Sequence, residues 1–202
     1  MRLYLASTSP ARLATLRAVG VEPVLLSSGV DEEAAVASSD PMSADEMVLF
    51  LARLKAEAVV APEIDGFILG GDSAFELDGI TYGKPHLPSV ARERWLLQRG
   101  REGHLHSGHW LIDHRGGVPG RGIGAVSTAA VTFADDITDA EIDAYIETGE
   151  PLHVAGAFTI DGFGGAFVSG IEGDHHNVVG VSLPLLRELV LELGHAWPDL
   201  WT

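Results

Sequence analysis

Blocks of apolar residues with two different periods follow one another along the chain and predict a mixture of helices and strands. In residues 43–60 the apolar positions recur every three or four residues, which is typical of an amphipathic helix with the stripe Met47, Phe50, Leu51, Leu54 and Ala58. Apolar runs of strand length lie at 2–6, 24–26, 67–77, 80–82, 104–112 and 126–133. Further helices are predicted at 10–19, at 89–98 with Ser89 as its cap, at 138–149, and after Pro184.

Turn and capping residues mark the ends of several of these elements. Ser9 followed by Pro10 suits the start of a helix, and Gly20 suits its end. Capping boxes at 43–46 and 138–141 open two more helices. The Asp-Gly pair at 78–79 is a strong hairpin signal between the runs at 67–77 and 80–82.

The order of these elements predicts the fold class. Strands and helices interleave without a strict strand-helix-strand rhythm and at least one hairpin is present, so a mixed sheet in an α/β or α+β fold is expected. The glycine-rich stretch 115–124 predicts an exposed, mobile loop, and the composition of 154–182 predicts short strands and tight turns around a site. At 202 residues the chain fits one domain or two lobes.

Composition narrows the function classes. The apolar fraction is 46% and no apolar run approaches the roughly 18 residues of a membrane helix, so a soluble, cytoplasmic protein without a secretory signal is expected. Thirteen Lys and Arg against 29 Asp and Glu give a net charge of −16, which disfavours a nucleic-acid partner. A small polyanion held in a local basic pocket, with a divalent cation, remains compatible with that charge. The absence of cysteine leaves hydroxyls, carboxylates, imidazoles and amines as the available chemistry.

The first polar loop has the pattern of a phosphate site. Residues 7–12 read STSPAR, so a strand would lead through Ser7 and Ser9 into a capped helix whose free N–H groups face the loop. Arg12 could add a fork of donors to the same anion. The alternative is an ordinary capped helix start.

A second candidate is the stretch Gly70-Gly71-Asp72-Ser73, which follows an apolar run. Its carboxylate would be partly desolvated and able to hold a metal or take a proton from water. Hairpin arithmetic puts Lys84 opposite Ser73 and beside Asp72. Because alternation would point Asp72 and Lys84 to opposite faces, a shared site requires a bulge or a strand end near Gly83. The alternative is a surface carboxylate and a solvated lysine.

Two weaker candidates involve metals. The acidic run 31–33 could hold Mg²⁺ through a carboxylate, with phosphate and water completing the octahedron, or it is a solvated acidic turn. His104, His106 and His109 suggest zinc, but no cysteine or well-spaced carboxylate completes such a set. Structural or surface histidines are the favoured interpretation there, and for His175 and His176.

Eight short motifs, in order, resemble the Maf family over nearly the whole chain. They are LASTSPAR at 5–12, VDE at 30–32, LARLKA at 51–56, GD at 71–72, GKP at 83–85, TGEP at 148–151, AGAF at 155–158 and NVVG at 177–180. The resemblance implies a single Maf-like domain over 1–202 with two lobes around a central cleft, similar to the inosine triphosphate pyrophosphatases. It also implies cleavage of a nucleoside triphosphate between its alpha and beta phosphates, with Mg²⁺ or Mn²⁺.

Site residues are carried over from the same resemblance. Asp72 is implied to be the general base, Glu32 and Asp72 the metal-holding acids, and Lys84 a further catalytic residue. Substrate contacts are implied for Ser7, Ser9, Arg12, Lys55, Ser73 and Asp161.

Departures from the family pattern leave alternatives open. The family's Asp-Lys and Ile-Gln-Gly read His153-Val154 and Ile160-Asp161-Gly162 here, and its Asp-Thr pair has Ser73 in place of threonine. The resemblance places selection of the nucleobase at Arg12, Ser73 and Asp161. Because two of these positions differ from the family pattern, the preferred nucleobase does not follow from that of other members. A catalytically weakened nucleotide-binding regulator of septation, a histidine-based metallohydrolase and a homodimer stay open.

Overall fold

The computed structural model describes residues 1–202 and contains seven strands and seven α-helices. The strands are β1 Leu3–Ala6, β2 Val24–Leu25, β3 Gly66–Leu77, β4 Ile80–Tyr82, β5 Glu102–His114, β6 Gly122–Phe133 and β7 Val168–Glu172. The helices are α1 Pro10–Ala18, α2 Glu32–Ala37, α3 Ala44–Ala58, α4 Pro88–Gln98, α5 Asp139–Glu147, α6 His175–Val179 and α7 Leu183–Glu192. None of the helices is both long and apolar enough to cross a membrane.

The strands form one mixed sheet, as predicted. Its order is β2-β1-β3-β5-β6-β7, with β4 paired to β3. β1 is parallel to both β2 and β3, whereas β3 and β4, and β6 and β7, are antiparallel. Crossovers through helices alternate with hairpins, which explains why the order of elements has no regular rhythm.

The chain divides into two compact units. Unit 1 comprises 1–72, 107–127 and 180–202, and unit 2 comprises 73–106 and 128–179. Unit 1 buries an aliphatic core, with members that include Leu3, Leu5, Leu16, Phe67, Leu69 and Leu186. The core of unit 2 is aromatic, and its edge-to-face ring pairs include Phe75–Phe133, Trp95–Phe133 and Phe133–Phe158.

Most predicted caps and turns are confirmed. Ser9 accepts a hydrogen bond from the Arg12 N–H, and both capping boxes, at Ser43 and Thr138, are formed. Asp78 and Gly79 have φ of 54° and 74°, as the primed hairpin turn requires, and the paired positions Leu77 and Ile80 flank them.

Four sequence predictions are wrong. The acidic run at 31–33 is not a turn but the start of α2, with Asp31 as the N-cap. α4 begins one residue earlier than predicted because Pro88 occupies its first turn, so Ser89 does not cap it. Most of 154–182 forms short helical turns rather than strands, β7 being the exception, and the loop predicted at 115–124 is shorter because β6 already begins at Gly122.

Candidate active site

Gly70, at the middle of β3, determines how closely α3 packs on the sheet of unit 1. A Cβ built on Gly70 would lie 2.0 Å from the Ala52 carbonyl oxygen, a distance that no side chain tolerates. Only glycine therefore allows the helix backbone to approach this strand. Lys55 lies three residues after Ala52 on α3, and Asp72 lies two residues after Gly70 on β3, so this approach brings the two side chains together.

Replacing Gly70 tests that packing. We expect Gly70→Ala to lower the free energy of unfolding by about 3 kcal/mol or more, since the clash is with backbone and exceeds ordinary overpacking. Chemical denaturation followed by circular dichroism measures it. Gly79→Ala is the matched control for adding a methyl group, since its Cβ would meet nothing within 4 Å, although its φ of +74° carries a smaller strain. Equal losses for the two variants would contradict the packing argument.

Lys55 is the centre of a cluster of charged groups in unit 1. Its ammonium nitrogen lies 2.7 Å from Asp72 Oδ1 and 2.7 Å from Glu32 Oε1. The side chains of Lys55 and Asp72 are 8% and 13% exposed, whereas Glu32 is 43% exposed. A desolvated lysine thus holds two carboxylates, one largely buried and one reaching toward water. The solvated-turn interpretation of Glu32 does not describe this arrangement.

Arg12 forms the second part of the same cluster. Its Nε donates to the Gly180 carbonyl oxygen at 2.9 Å, and one terminal nitrogen donates to Ser7 Oγ at 3.1 Å. A Cβ on Gly71 would lie 3.3 Å from Arg12 Nε, so the guanidinium lies against the strand that carries Asp72. Burial lowers the pKa of Arg12, and the Asp72 and Glu32 carboxylates oppose that shift.

The N-terminus of α1 adds further donors beside Arg12. Ser9 Oγ caps the helix, and the Ser9 N–H donates to Ser7 Oγ at 3.2 Å, so residues 7–9 form a tight polar loop. Ser7 is buried and Ser9 is half-buried. A capped helix start joined to a buried arginine is suited to an anion.

The remaining predicted site residues belong to unit 2. Ser73 follows Asp72 directly on β3. Lys84 is exposed and lies beyond β4, which ends at Tyr82. Asp161 is exposed and accepts a hydrogen bond from the Thr159 hydroxyl.

Glu150 holds the loop that carries Asp161, and sequence reasoning missed it. Its carboxylate accepts from the Phe163 and Gly164 N–H groups at 3.0 Å each and from the Tyr145 hydroxyl at 2.8 Å. Burial and this hydrogen bond raise the pKa of Tyr145, so the hydroxyl stays a donor. A single acid inside the motif TGEP thereby fixes the backbone at Phe163 and Gly164. No local sequence pattern indicates that role.

Metal-binding capacity is confined to few groups. The structure has no group of three or more His, Asp or Glu side chains placed to hold a metal ion. His104 is exposed, His106 contacts the Thr128 hydroxyl at 3.1 Å and His109 is hydrogen-bonded inside unit 1, so the histidines do not form a ligand set. Asp72 and Glu32 do present oxygens to one point, which the Lys55 ammonium now occupies. Two carboxylates placed in this way fit a hydrated Mg²⁺ or Mn²⁺ whose other ligands are phosphate oxygens.

Comparisons with known proteins find full-length relatives. The family model described as "Maf-like protein" matches residues 2–193. A protein of Leifsonia xyli subsp. xyli named "Nucleoside triphosphate pyrophosphatase" is 63% identical over 209 residues, covering 100% of this chain and 97% of the relative. One of the same name from Streptomyces coelicolor is 50% identical over 202 residues, covering 99% and 94%. A solved structure of the Staphylococcus aureus Ham1 protein is 15% identical, with a TM-score of 0.42 over 67% of this chain and 73% of that one.

Proposed function

Because the chain belongs to the Maf family, we propose that it is a nucleoside triphosphate pyrophosphatase, releasing a nucleoside monophosphate and pyrophosphate. One observation carries this proposal: the buried ammonium of Lys55 joins Asp72 to Glu32 beside the buried guanidinium of Arg12. Cations and acids gathered from four separate stretches of a chain with a net charge of −16 are suited to a small polyanion and its metal. Removal of modified or noncanonical nucleotides is the role we propose for it, in the cytoplasm.

Phosphate binding is assigned to the start of α1. A guanidinium carries five N–H groups in a planar fork that matches phosphate oxygens, and Gly180 and Ser7 hold that of Arg12 in place. Together with the polar loop at residues 7–9 it would bind the phosphate chain and balance charge that develops at the transition state. Its burial strengthens that interaction because the surrounding dielectric is low.

Asp72 is assigned the general base. It would take a proton from a water molecule as the water oxygen bonds to the alpha phosphorus. The bond from that phosphorus to the bridging oxygen breaks, and the electron pair leaves with pyrophosphate. Lys55 holds the Asp72 carboxylate in place at 2.7 Å and adds positive charge beside the reacting phosphate.

A divalent metal would be held by Glu32 and Asp72, with phosphate oxygens and water as its other ligands. When bound, it supplies positive charge that polarises the phosphoanhydride. Lys55 already bridges the two carboxylates, so the protein keeps them together without a metal.

We also assign roles in the reaction to three residues of unit 2. We assign Lys84 a second cationic contact to the phosphates, and Ser73 and Asp161 contacts to the nucleoside. An Asp161 carboxylate only accepts hydrogen bonds, whereas the glutamine usual in the family both donates and accepts. The preferred base should therefore differ from that of family members that carry the amide.

Pyrophosphate release from a panel of canonical and modified nucleoside triphosphates tests the function. With Mg²⁺ or Mn²⁺ present, we expect turnover of at least one nucleotide, loss of turnover with EDTA, and recovery when metal is added back. Asp161→Gln should change the order of preference across the panel while the products stay the same. If no nucleotide releases pyrophosphate, the proposed enzymatic function is refuted. Tight nucleotide binding without turnover would favour the alternative of a septation regulator.

A further inference from the structure

The carbonyl that binds Arg12 lies in a short segment with its own anchors. Gly180 has φ of +118°, a conformation that favours glycine, and its carbonyl oxygen accepts from Arg12 Nε at 2.9 Å. The next residue, Val181, is fully buried in the aliphatic core of unit 1. Ser182 then caps α7 by accepting from the Leu185 N–H through its hydroxyl. The position of the guanidinium therefore depends on how segment 180–182 is held.

A buried histidine binds the backbone of that segment. His109 is 1% exposed, and its Nε2 accepts a hydrogen bond from the Ser182 N–H at 3.0 Å. Its Nδ1 lies 3.0 Å from the Ser107 carbonyl oxygen. Because a backbone N–H can only donate and a carbonyl can only accept, Nε2 must be unprotonated and Nδ1 must carry the proton. The ring is thus the neutral Nδ1–H tautomer, fixed at both nitrogens.

The strand that carries His109 is itself packed closely on both sides. A Cβ on Gly108 would lie 2.3 Å from the Val48 carbonyl oxygen of α3, and one on Gly124 would lie 2.6 Å from the His109 carbonyl oxygen. Backbone therefore meets backbone around residue 109, which holds in place the strand from which the imidazole projects. The ring acts as a rigid link between β5 and the start of α7.

From these contacts we propose that His109 is a positioning residue for the pyrophosphatase reaction, acting on Arg12 through Gly180 and segment 180–182. This inference rests on the proposed function, because it assigns Arg12 to the phosphates. The chemistry requires an acceptor at this place: an apolar side chain would leave the buried Ser182 N–H without a partner, and the segment would move to satisfy it. Movement of Gly180 would release the Arg12 Nε–H and turn the plane of the guanidinium.

Three variants in the same strand separate positioning from simple packing. His109→Leu fills the space of the ring with an apolar side chain but removes the acceptor for the Ser182 N–H. His109→Gln places an amide oxygen near the position of Nε2, so it keeps an acceptor there. His114→Leu is the matched control, because His114 lies on the same strand, is also 1% exposed and is bonded to a backbone carbonyl, that of Ile64 at 2.9 Å.

We expect His109→Leu to raise KM for the best triphosphate of the panel by about tenfold or more, with a smaller effect on kcat, because binding by Arg12 weakens before and during reaction. His109→Gln should recover most of that loss. His114→Leu should lower stability and leave KM unchanged. A normal KM in His109→Leu, or an equal rise in His114→Leu, would overturn the positioning role.

A second readout does not depend on activity. In proton–nitrogen NMR spectra the Arg12 Nε–H should exchange slowly with solvent in the wild type and in His109→Gln, and markedly faster in His109→Leu. Unchanged protection in His109→Leu would refute the inference even if the enzyme is confirmed. Lost protection in a protein that hydrolyses no nucleotide would refute the proposed function and leave the coupling of His109 to Arg12 standing.

Discussion

Asp72→Asn lowers kcat for pyrophosphate release by about 10²–10⁴-fold, with little change in KM, if the carboxylate takes the proton from water. The amide fills nearly the same volume but cannot accept a proton at neutral pH. It also loses the ion pair with Lys55, whose nitrogen lies 2.7 Å from the Asp72 carboxylate and whose side chain is largely buried. Steady-state release of pyrophosphate from the best nucleotide of the panel measures the effect.

Asp40→Asn is the control for the Asp72 variant, because Asp40 is exposed and lies outside the regular elements. It should match the wild type in kcat and KM. Circular dichroism should show that both variants fold. If Asp72→Asn keeps more than about a tenth of the wild-type kcat, the acid is not the general base.

Lys55→Met is expected to reduce both activity and stability. Methionine replaces the stem of the lysine but leaves the Asp72 and Glu32 carboxylates facing each other without a cation. Removing one partner of a buried pair costs about 3–5 kcal/mol, and we expect a value near the lower end because Glu32 can turn toward water. Activity should fall by about 10²-fold or more, since a displaced Asp72 no longer orients water.

Arg53→Met provides a matched comparison on the same helix. Arg53 is exposed, pairs with Glu57 one turn away and lies over the Trp110 ring, so its loss should cost no more than about 1 kcal/mol. Denaturant unfolding gives both free energies, and pyrophosphate release gives both activities. Similar losses in the two variants would show that the Lys55 cluster has no special role.

Local patterns predicted most of the elements around the site. The capping boxes at Ser43 and Thr138 and the Asp78-Gly79 turn depend on residues within four positions of one another, so their geometry is contained in the sequence itself. The phosphate loop at 7–12 was predicted for the same reason. Its helix start and the Ser9 cap are confirmed.

Missed features depend on contacts or conformations that no short pattern contains. α2 has no buried residue, so it lacks the apolar stripe by which a helix is recognised. In 154–182 the apolar composition suggested strands, but Gly156 and Ala157 have φ of 69° and 63°, which interrupt extended structure. The role of Gly70 was hidden because the atom it accommodates belongs to Ala52, eighteen residues earlier.

The candidate site could be predicted only in part for a similar reason. Arg12, Glu32, Lys55 and Asp72 are each predictable from their motifs. That Glu32 and Asp72 both pair with Lys55 is evident only in three dimensions. His109 was considered as a metal ligand because its neighbours are histidines. Its actual partner is the Ser182 N–H, 73 residues away along the chain.

The division of the chain into two units has a consequence for how this family can be recombined. The polypeptide passes from one unit to the other after residues 72, 106, 127 and 179, and the first three of these points fall inside β3, β5 and β6. Neither unit can be excised as one continuous piece. A chimera that exchanges unit 2 between two relatives needs four splice junctions, three of them within strands. We therefore expect substrate specificity in this family to change by point substitutions rather than by exchange of a whole unit.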